Sequence, residues 1–344
     1  MKTLRNSIIV VGLLLGLNGL SQDTHFSQVA YSPLTLNPAL AGANSVLQGV
    51  MNYRNQWNSV TSPYKTFAAS IDARLNENKR QRNGILAAGL NLVNDQTGDL
   101  KLTTNQVNLT MAYHMILNRK STFGVGMYAG FEQRSLDPSA GQWESQYDGS
   151  AYNSGLSSGE VFNNFSTSIF DAGGGMLYSY KSNSGYMTQN NRKEVNVGLA
   201  LFNVTGSRNS FQIAGESAQN MRITAFVNAR IGLQNSRGSV SPGIYYQSQG
   251  VLSEFVFGTY YNYMVSEGSK VTGFNKQMIV SFGLFSRLKD AIITKFMLEY
   301  DLYSVGFAYD INLSSLQQLT GTQSGFELFV RFNLPKRNGL RSRF

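Results

Sequence analysis

The sequence predicts an all-β protein, a transmembrane antiparallel β-barrel of about fourteen strands. The first observation is the alternation of residue types along segment after segment, shown well by 303–310. Tyr303, Val305, Phe307 and Tyr309 are large and apolar or amphipathic, whereas the residues between them are small or polar. A period of two places these two sets on opposite faces of a β-strand. A soluble sandwich strand can alternate too, so the prediction depends on the recurrence of the pattern almost to the end of the chain.

The composition is the second observation. Charged residues make up 14% of the 344 residues, and aromatic residues make up 12%. Soluble domains carry about 25% charged residues, and disordered chains are poor in aromatics. A mean hydropathy of −0.20 argues against a helical membrane bundle. Membrane barrels combine these traits because only one face of each strand is apolar.

Cysteine content and charge exclude further classes. The chain has no cysteine, which rules out disulfides and thiolate metal sites. The formal net charge is +9, but the basic residues are scattered and the one dense run is Lys79-Arg80-Gln81-Arg82. We interpret that run as a solvated turn and predict no nucleic-acid partner.

The first 21 residues have the pattern of a cleaved signal peptide. Lys2 and Arg5 precede an apolar stretch over 8–17, and Gly19 and Ser21 are the small residues before a cut at Gln22. We therefore predict export to the outer membrane of a Gram-negative cell. Residues 22–44 do not alternate and contain Pro33 and Pro38, which predicts a non-strand N-terminal segment in the lumen or at the periplasmic mouth.

Residues 45–334 form the predicted barrel, and 335–344 form a basic C-terminal tail. The number of predicted strands is even, as single-chain bacterial barrels require, although about 12 to 16 strands remain possible. The predicted strands are 46–53, 64–74, 85–94, 102–115, 121–131, 165–180, 194–203, 222–234, 240–248, 254–265, 277–287, 291–300, 302–312 and 326–333.

The distribution of polar residues is the third observation. Charges are nearly absent from one face of many strands, and polar residues gather on the other face. A soluble β-protein would bury the apolar face, whereas a membrane barrel turns it to lipid and keeps the polar face around its lumen. The segments 133–164 and 205–220 are the predicted long outer loops. The predicted inward residues are Asp72, Asn108, His114, Arg230, Lys295, Glu299, Glu327 and Arg331.

Catalytic and metal-binding patterns are weak. Residues 155–159 match G-x-S-x-G, but that motif needs a strand, a turn and a helix to present its serine, and this one lies in a Ser- and Gly-rich loop. The two histidines, His25 and His114, give no recognised metal spacing. The stretch 94–99 could hold calcium but is also an ordinary turn sequence. We predict no cofactor, no metal and no enzymatic activity.

Three stretches resemble one family. They are Asp-Thr-His-Phe-Ser-Gln at 23–28 with Asn-Pro-Ala-Leu-Ala-Gly at 37–42, Tyr-Arg-Asn-Gln-Trp at 53–57 with Ser-Pro-Tyr-Lys-Thr-Phe at 62–67, and Tyr-Asp-Ile-Asn at 309–312 followed by Glu327. Together they resemble the PorP/SprF family of the type IX secretion system of Bacteroidota. Thr24 and residues 29–31 depart locally from the family's usual choices.

The resemblance implies an outer-membrane barrel that works with other type IX components and, in gliding members, with the export of adhesins. It also implies that a secreted cargo with a C-terminal sorting domain, of the type called B, is held at the cell surface. The leading functional hypothesis is therefore a non-enzymatic docking protein in outer-membrane lipid. The alternative is a transport channel resembling long-chain fatty-acid porins, and a hydrolase is a distant third.

The candidate partner-binding residues are Arg54, Asn55, Gln56 and Trp57, which the sequence places in the first outer connection, together with Asp310. Arg and Trp dominate interface hot spots. Structural readings stay open for the same residues. Trp57 could anchor the barrel at the membrane interface, Arg54 could pair inside the lumen, and Asp310 could turn the chain, pair with a lumenal arginine or meet the cargo.

Overall fold

The computed structural model describes residues 23, 25–56, 62–76, 84–159, 165–182, 193–206, 208–209, 217–268, 276–313 and 323–334. Within them, fourteen antiparallel strands close into a barrel, which confirms the predicted class and strand count. Each barrel strand pairs with its neighbours along the chain, and the first strand closes the ring on the last. The signal-peptide prediction, the Lys79–Arg82 run and the C-terminal tail lie outside the described residues.

The barrel strands are β1 Leu47–Gln56, β2 Tyr64–Arg74, β3 Gly84–Thr97, β4 Leu102–Ile116, β5 Ser121–Ser135, β6 Ser166–Ser182, β7 Lys193–Phe202, β10 Arg222–Gly232, β11 Gly238–Gln249, β12 Leu252–Ser266, β13 Met278–Arg287, β14 Ala291–Tyr300, β15 Tyr303–Asn312 and β16 Gln323–Leu334. Two short strands, β8 Arg208–Asn209 and β9 Ser217–Ala218, pair outside the barrel. Short helical turns cover Val29–Tyr31, Pro33–Leu36, Pro38–Leu40, Pro138–Ala140 and Glu144–Gln146. None of the described helices is long and apolar enough to cross a membrane.

The outer surface is apolar, as the alternation predicts. On β4 and β5, the side chains of Leu109, Met127 and Phe131 are each about two-thirds exposed, at 66%, 65% and 66%. Along β15, exposure alternates residue by residue, with Tyr303 exposed and Ser304 buried. A surface this apolar over so many strands requires hydrocarbon around it. Because the barrel is closed, no strand edge exposes unpaired backbone N–H and C=O groups to lipid.

The first strand differs from its prediction. Residues 54–56 were expected in the first outer connection, but β1 continues to Gln56. The ladder explains the extension, because Arg54 is paired across both neighbours, with Thr66 on β2 and Glu327 on β16. The alternation of residue types weakens at this position because the inward side chain is the buried Arg54 rather than a small residue. Its partners, Asp310 and the His25 carbonyl, lie inside the barrel.

The two ends of the barrel differ in their connections. We call the end that carries connections 136–165 and 203–221 the loop end, and the end that carries 117–120 and 301–302 the turn end. The N-terminal segment runs between them through the lumen. Asp23 binds Asn203 Nδ2 at the loop end (2.6 Å), and Asn44 accepts a hydrogen bond from Lys181 Nζ at the turn end (3.1 Å).

Residues 25–44, which we call the plug, therefore fill the barrel interior. Phe26, Leu34, Leu36 and Ala39 are buried against inward side chains of the strands. Of the two positions that the sequence left open for this segment, the lumen is the one observed.

The lipid face predicts a depth-dependent cost for a charge. Leu109 lies at the middle of β4, whereas Leu117 lies in the turn after it, and both are more than half exposed. Leu109→Arg should lower the free energy of unfolding by about 2–4 kcal/mol, and Leu117→Arg by about 0–1 kcal/mol, because only the first places the charge in hydrocarbon. Urea titration of the vesicle-folded protein measures both. Equal losses would contradict a lipid-facing β4.

Candidate functional site

Six charged side chains surround the start of the plug, and we call them the anchor cluster: Arg54, Glu254, Arg287, Lys295, Asp310 and Glu327. The carboxylate of Glu327 accepts the backbone N–H groups of both Ser27 (2.7 Å) and Gln28 (3.0 Å). Lys295 Nζ donates to the Ser27 carbonyl at 2.7 Å. The backbone polar groups of this turn, which has no sheet partner, are thereby satisfied by the barrel wall.

Asp310 is the shared acceptor of the cluster. One oxygen, Oδ2, accepts from Ser27 Oγ (2.6 Å), Arg287 Nη2 (3.2 Å) and Arg54 Nη2 (3.4 Å). Arg54 also donates to the carbonyl of His25. Arg287 reaches two further carboxylates, Glu254 and Asp290, at 2.9 Å each. Side chains from strands far apart in the sequence, such as β1 and β15, thus bind the same short part of the plug, residues 25–28.

The anchor cluster balances three cations against three carboxylates. Arg54, Lys295, Asp310 and Glu327 are each at most 4% exposed. Removing one member of such a buried set leaves an opposite charge unpaired, which is far more costly than losing a surface ion pair. Lys295 also lies over the ring of Phe285, 3.7 Å from its centroid, which adds a cation–π contact.

The Asn-Pro-Ala stretch of the plug packs against three glycines of the wall, Gly126, Gly175 and Gly198, which we call the glycine seat. Asn37 Nδ2 donates to the carbonyls of Met176 (3.0 Å) and Leu199 (3.1 Å), and its Oδ1 accepts the N–H of Ala39 (2.8 Å). A Cβ on Gly126 would lie 2.5 Å from the nitrogen of Ala39, and one on Gly175 or Gly198 would collide with the Asn37 side chain. The glycines are needed here for close approach of the plug.

The end of the plug is fixed by a third set of contacts. Asp72 Oδ2 accepts the N–H of Gly42 (2.8 Å), and Arg74 Nε donates to the Gly42 carbonyl (2.7 Å). His114 Nε2 lies 2.7 Å from the Ala41 carbonyl. Because a carbonyl only accepts, Nε2 carries the proton in this contact. His114 is thus an inward residue that holds the plug.

The structure places the candidate partner-binding residues in different surroundings. Arg54 and Asp310 are buried in the lumen and meet each other, which is one of the readings left open for them. Asn55 and Gln56 are half-buried at the loop end of β1. Trp57 lies outside the described residues. A role of these residues in binding a partner stays a prediction.

Sequence reasoning missed two members of the anchor cluster, Glu254 and Arg287. Both occupy inward positions by the same period-two rule that predicted Lys295 and Glu327, so strand parity could have found them. Their convergence on the start of the plug, where Arg287 donates to Ser27 Oγ (2.8 Å) and Glu254 lies 3.9 Å from His25, was not accessible, because it depends on how the plug crosses the lumen.

The hydrolase reading gains no support from the geometry. Ser157 belongs to the connection at the loop end, whereas His114 lies two residues before β4 ends at the turn end. The two side chains are therefore at opposite ends of the barrel. Among the described residues, no group of three or more His, Asp or Glu side chains is arranged to hold a metal ion.

A cavity of about 370 Å³ opens on the plug from the turn end. Its wall includes Arg230, Glu299 and Arg331, in which Glu299 is 3.1 Å from Arg331 and 3.6 Å from Arg230. Its floor is aromatic and includes Tyr31, whose ring stacks on Phe329 at 4.3 Å. We call this cavity the vestibule. The plug stands between it and the loop end.

The three stretches that resemble the PorP/SprF family thus meet in one place. Ser27 belongs to the first stretch, Arg54 to the second and Asp310 to the third. A sequence profile described as type IX secretion system membrane protein PorP/SprF matches residues 18–332. The chain belongs to the PorP/SprF family. No curated protein matches its sequence.

Solved structures resemble this PorP/SprF protein in fold only. The toluene transporter TbuX of Ralstonia pickettii is 10% identical, with a TM-score of 0.47, and the match covers 88% of this chain and 93% of that one. A FadL homologue of Pseudomonas aeruginosa is 9% identical, with a TM-score of 0.46 and coverage of 86% and 92%. The toluene transporter TodX of Pseudomonas putida is 11% identical, with a TM-score of 0.44 and coverage of 92% and 96%. Likeness at this level carries no argument about substrate.

The buried position of Asp310 predicts a large effect for a small substitution. Asp310→Asn should lower the free energy of unfolding by about 3 kcal/mol, because Arg54 and Arg287 lose their shared negative charge inside the barrel. The matched control is Asp301→Asn, which removes the charge of an exposed pair with Lys276 and should cost less than about 1 kcal/mol. Hydrogen exchange at the Ser27 and Gln28 amides, measured beside urea unfolding, should accelerate only in Asp310→Asn. Similar behaviour of the two variants would contradict an anchoring role.

The glycine seat predicts a second pair of outcomes. Gly126→Ala should displace the Pro38–Ala39 backbone and accelerate exchange of the Ala39 amide, because the new methyl group has no room. Gly49→Ala is the control, since the nearest atom to its Cβ is 4.0 Å away. Unchanged exchange in Gly126→Ala would show that the plug does not rest on this strand.

Proposed function

We propose that this PorP/SprF protein is a non-enzymatic docking barrel that holds an exported cargo protein at its loop end, facing the cell exterior. The main observation in support is that the plug occupies the lumen while the loop end presents a hydrogen-bonded surface in connection 136–165, which we call the platform. The family assignment supports association with other type IX secretion components. The cargo we propose carries a C-terminal sorting domain of type B and, in a gliding cell, is an adhesin.

The lumen favours an anchor because the plug crosses it from one end to the other. The plug is bound by the anchor cluster near the loop end, by the glycine seat in the middle and by Asp72, Arg74 and His114 near the turn end. A solute channel would need to break these contacts at every opening. A docking protein needs only a rigid base.

The loop end offers a hydrogen-bonded surface in residues 136–159, which are described within connection 136–165. Within it, Gln146 is buried, donates to the Leu156 carbonyl (3.0 Å) and accepts from Tyr152 Oη (3.2 Å). An isolated bridge joins Tyr147 to Tyr152. Backbone and side-chain hydrogen bonds of this kind fix a loop and lower the entropy lost when it binds a partner.

The same connection exposes the residue types that bind proteins. Tyr147, Tyr152 and Leu156 are 57%, 43% and 41% exposed. Aromatic side chains at the centre of an interface provide much of its binding energy. Asp137, Glu144 and Asp148 belong to the same connection, so we propose a cargo surface that is basic around an apolar centre.

A double substitution tests the platform. Tyr147→Ser with Tyr152→Ser should abolish recovery of the cargo when the intact protein is purified from its native membrane, because it removes the exposed aromatic area. The control is Leu117→Ser, an exposed apolar residue in a turn at the opposite end, which should leave recovery unchanged. Mass spectrometry must identify a secreted protein with a C-terminal sorting domain. Absence of any such protein from the wild-type preparation would sink the docking proposal.

The alternative function is a transport channel, and the vestibule is the observation that favours it. A cavity of about 370 Å³ with an aromatic floor has the size of a small-molecule site. Uptake of toluene or a fatty acid into liposomes containing the purified protein would favour transport. No uptake above that of empty liposomes would contradict the transport alternative.

A further inference from the structure

The two ends of the barrel carry opposite charge. Among the described residues, connections at the loop end contain five Asp and Glu residues and three Lys and Arg residues, whereas those at the turn end contain two and four. The described parts of the two ends therefore carry net charges of −2 and +2.

Three described cations of the turn end are open to their surroundings. Arg119 and Lys120 lie in the connection between β4 and β5, Arg237 lies between β10 and β11, and all three are exposed. The exposed ion pair of this end joins Lys276 to Asp301 at 2.6 Å. Among the described residues, Arg119, Lys120 and Arg237 have no carboxylate partner. Their charge is available to an external anion.

Tyrosines beside these cations mark their depth. Tyr178 is 39% exposed on the lipid face, and its hydroxyl donates to Ser121 Oγ (3.1 Å), next to Lys120. Tyr263 is 46% exposed and is paired with Gly238, next to Arg237. Exposed tyrosines at strand ends belong to the aromatic girdle at the membrane interface. The cations therefore stand at the level of the lipid headgroups.

We propose that the turn end binds the phosphate of anionic phospholipid headgroups through Arg119, Lys120 and Arg237. The two connections that carry them, 117–120 and 233–237, are short, so they hold these cations beside the bilayer rather than reaching beyond it toward a soluble acidic partner. Lys and Arg recognise phosphate by charge-assisted hydrogen bonds, which a zwitterionic lipid supports less well.

The phospholipid leaflet is favoured over lipopolysaccharide by the placement of the loops. Long connections face the cell exterior in outer-membrane barrels, and here the two longest, 136–165 and 203–221, are at the opposite, acidic end. The turn end then faces the inner leaflet. This inference depends on the membrane barrel and is independent of cargo docking.

Lipid competition measured by native mass spectrometry tests the proposal. The full-length protein, purified in a neutral detergent, is mixed with equal amounts of phosphatidylglycerol and phosphatidylethanolamine, and the retained lipids are counted. The wild type should prefer phosphatidylglycerol. In the triple variant Arg119→Gln, Lys120→Gln and Arg237→Gln, the ratio of retained phosphatidylglycerol to phosphatidylethanolamine should fall at least about tenfold. The reason is that each cation near an anionic surface raises the affinity for that surface about fivefold.

The control variant carries Lys101→Gln and Lys289→Gln, which remove two cations of short connections at the loop end. It should retain the wild-type preference. Both variants should fold, because all five positions lie outside the strands. Heat-modified mobility on a gel checks this.

Three outcomes would overturn the proposal. The wild type could retain both phospholipids equally, or the triple variant could keep the preference, or both variants could lose it alike. A third competitor, lipopolysaccharide, settles the source of the phosphate. Preferential retention of lipopolysaccharide through the same three cations would mean that the turn end faces the outer leaflet, contrary to the proposal.

Discussion

The carboxylates of Asp310 and Glu327 determine how the N-terminal segment lies in the barrel. Glu327 accepts two consecutive backbone N–H groups of the plug, and Asp310 joins the Ser27 hydroxyl to two arginines. A plug without regular strand pairing needs such acceptors, because its polar backbone is otherwise unsatisfied inside a sealed wall. The wall in turn needs the plug, since a ring of buried charges facing an empty lumen would have to be solvated there.

This mutual dependence gives the family motifs a physical meaning. The Ser-Gln pair at 27–28 supplies donors, Arg54 supplies a cation from β1, and Asp310 supplies the acceptor from β15. Asn37 and the glycines around it allow the close approach that keeps the middle of the plug in contact with β5, β6 and β7. The motifs therefore describe internal contacts between the plug and the barrel wall.

The fold was largely predictable because lipid and lumen impose opposite requirements on alternate residues. Alternation at 303–310 and at 222–234 identified strands and their faces, and even the inward position of His114 followed from parity. The end of β1 was wrong because Arg54 interrupts that alternation while remaining in the ladder. The anchor cluster was not predictable, since contacts such as Lys295 with Ser27 depend on the path of the plug across the lumen.

The plug closes the lumen, and single-channel conductance of the purified protein in a planar bilayer tests this closure most directly. The filled interior predicts no steady conductance for the wild type at low voltage. It also predicts open-channel steps when Asp310→Asn and Gly126→Ala are combined, because these changes loosen the plug at two separate contacts. A stable ohmic conductance from the wild type would contradict a closed lumen.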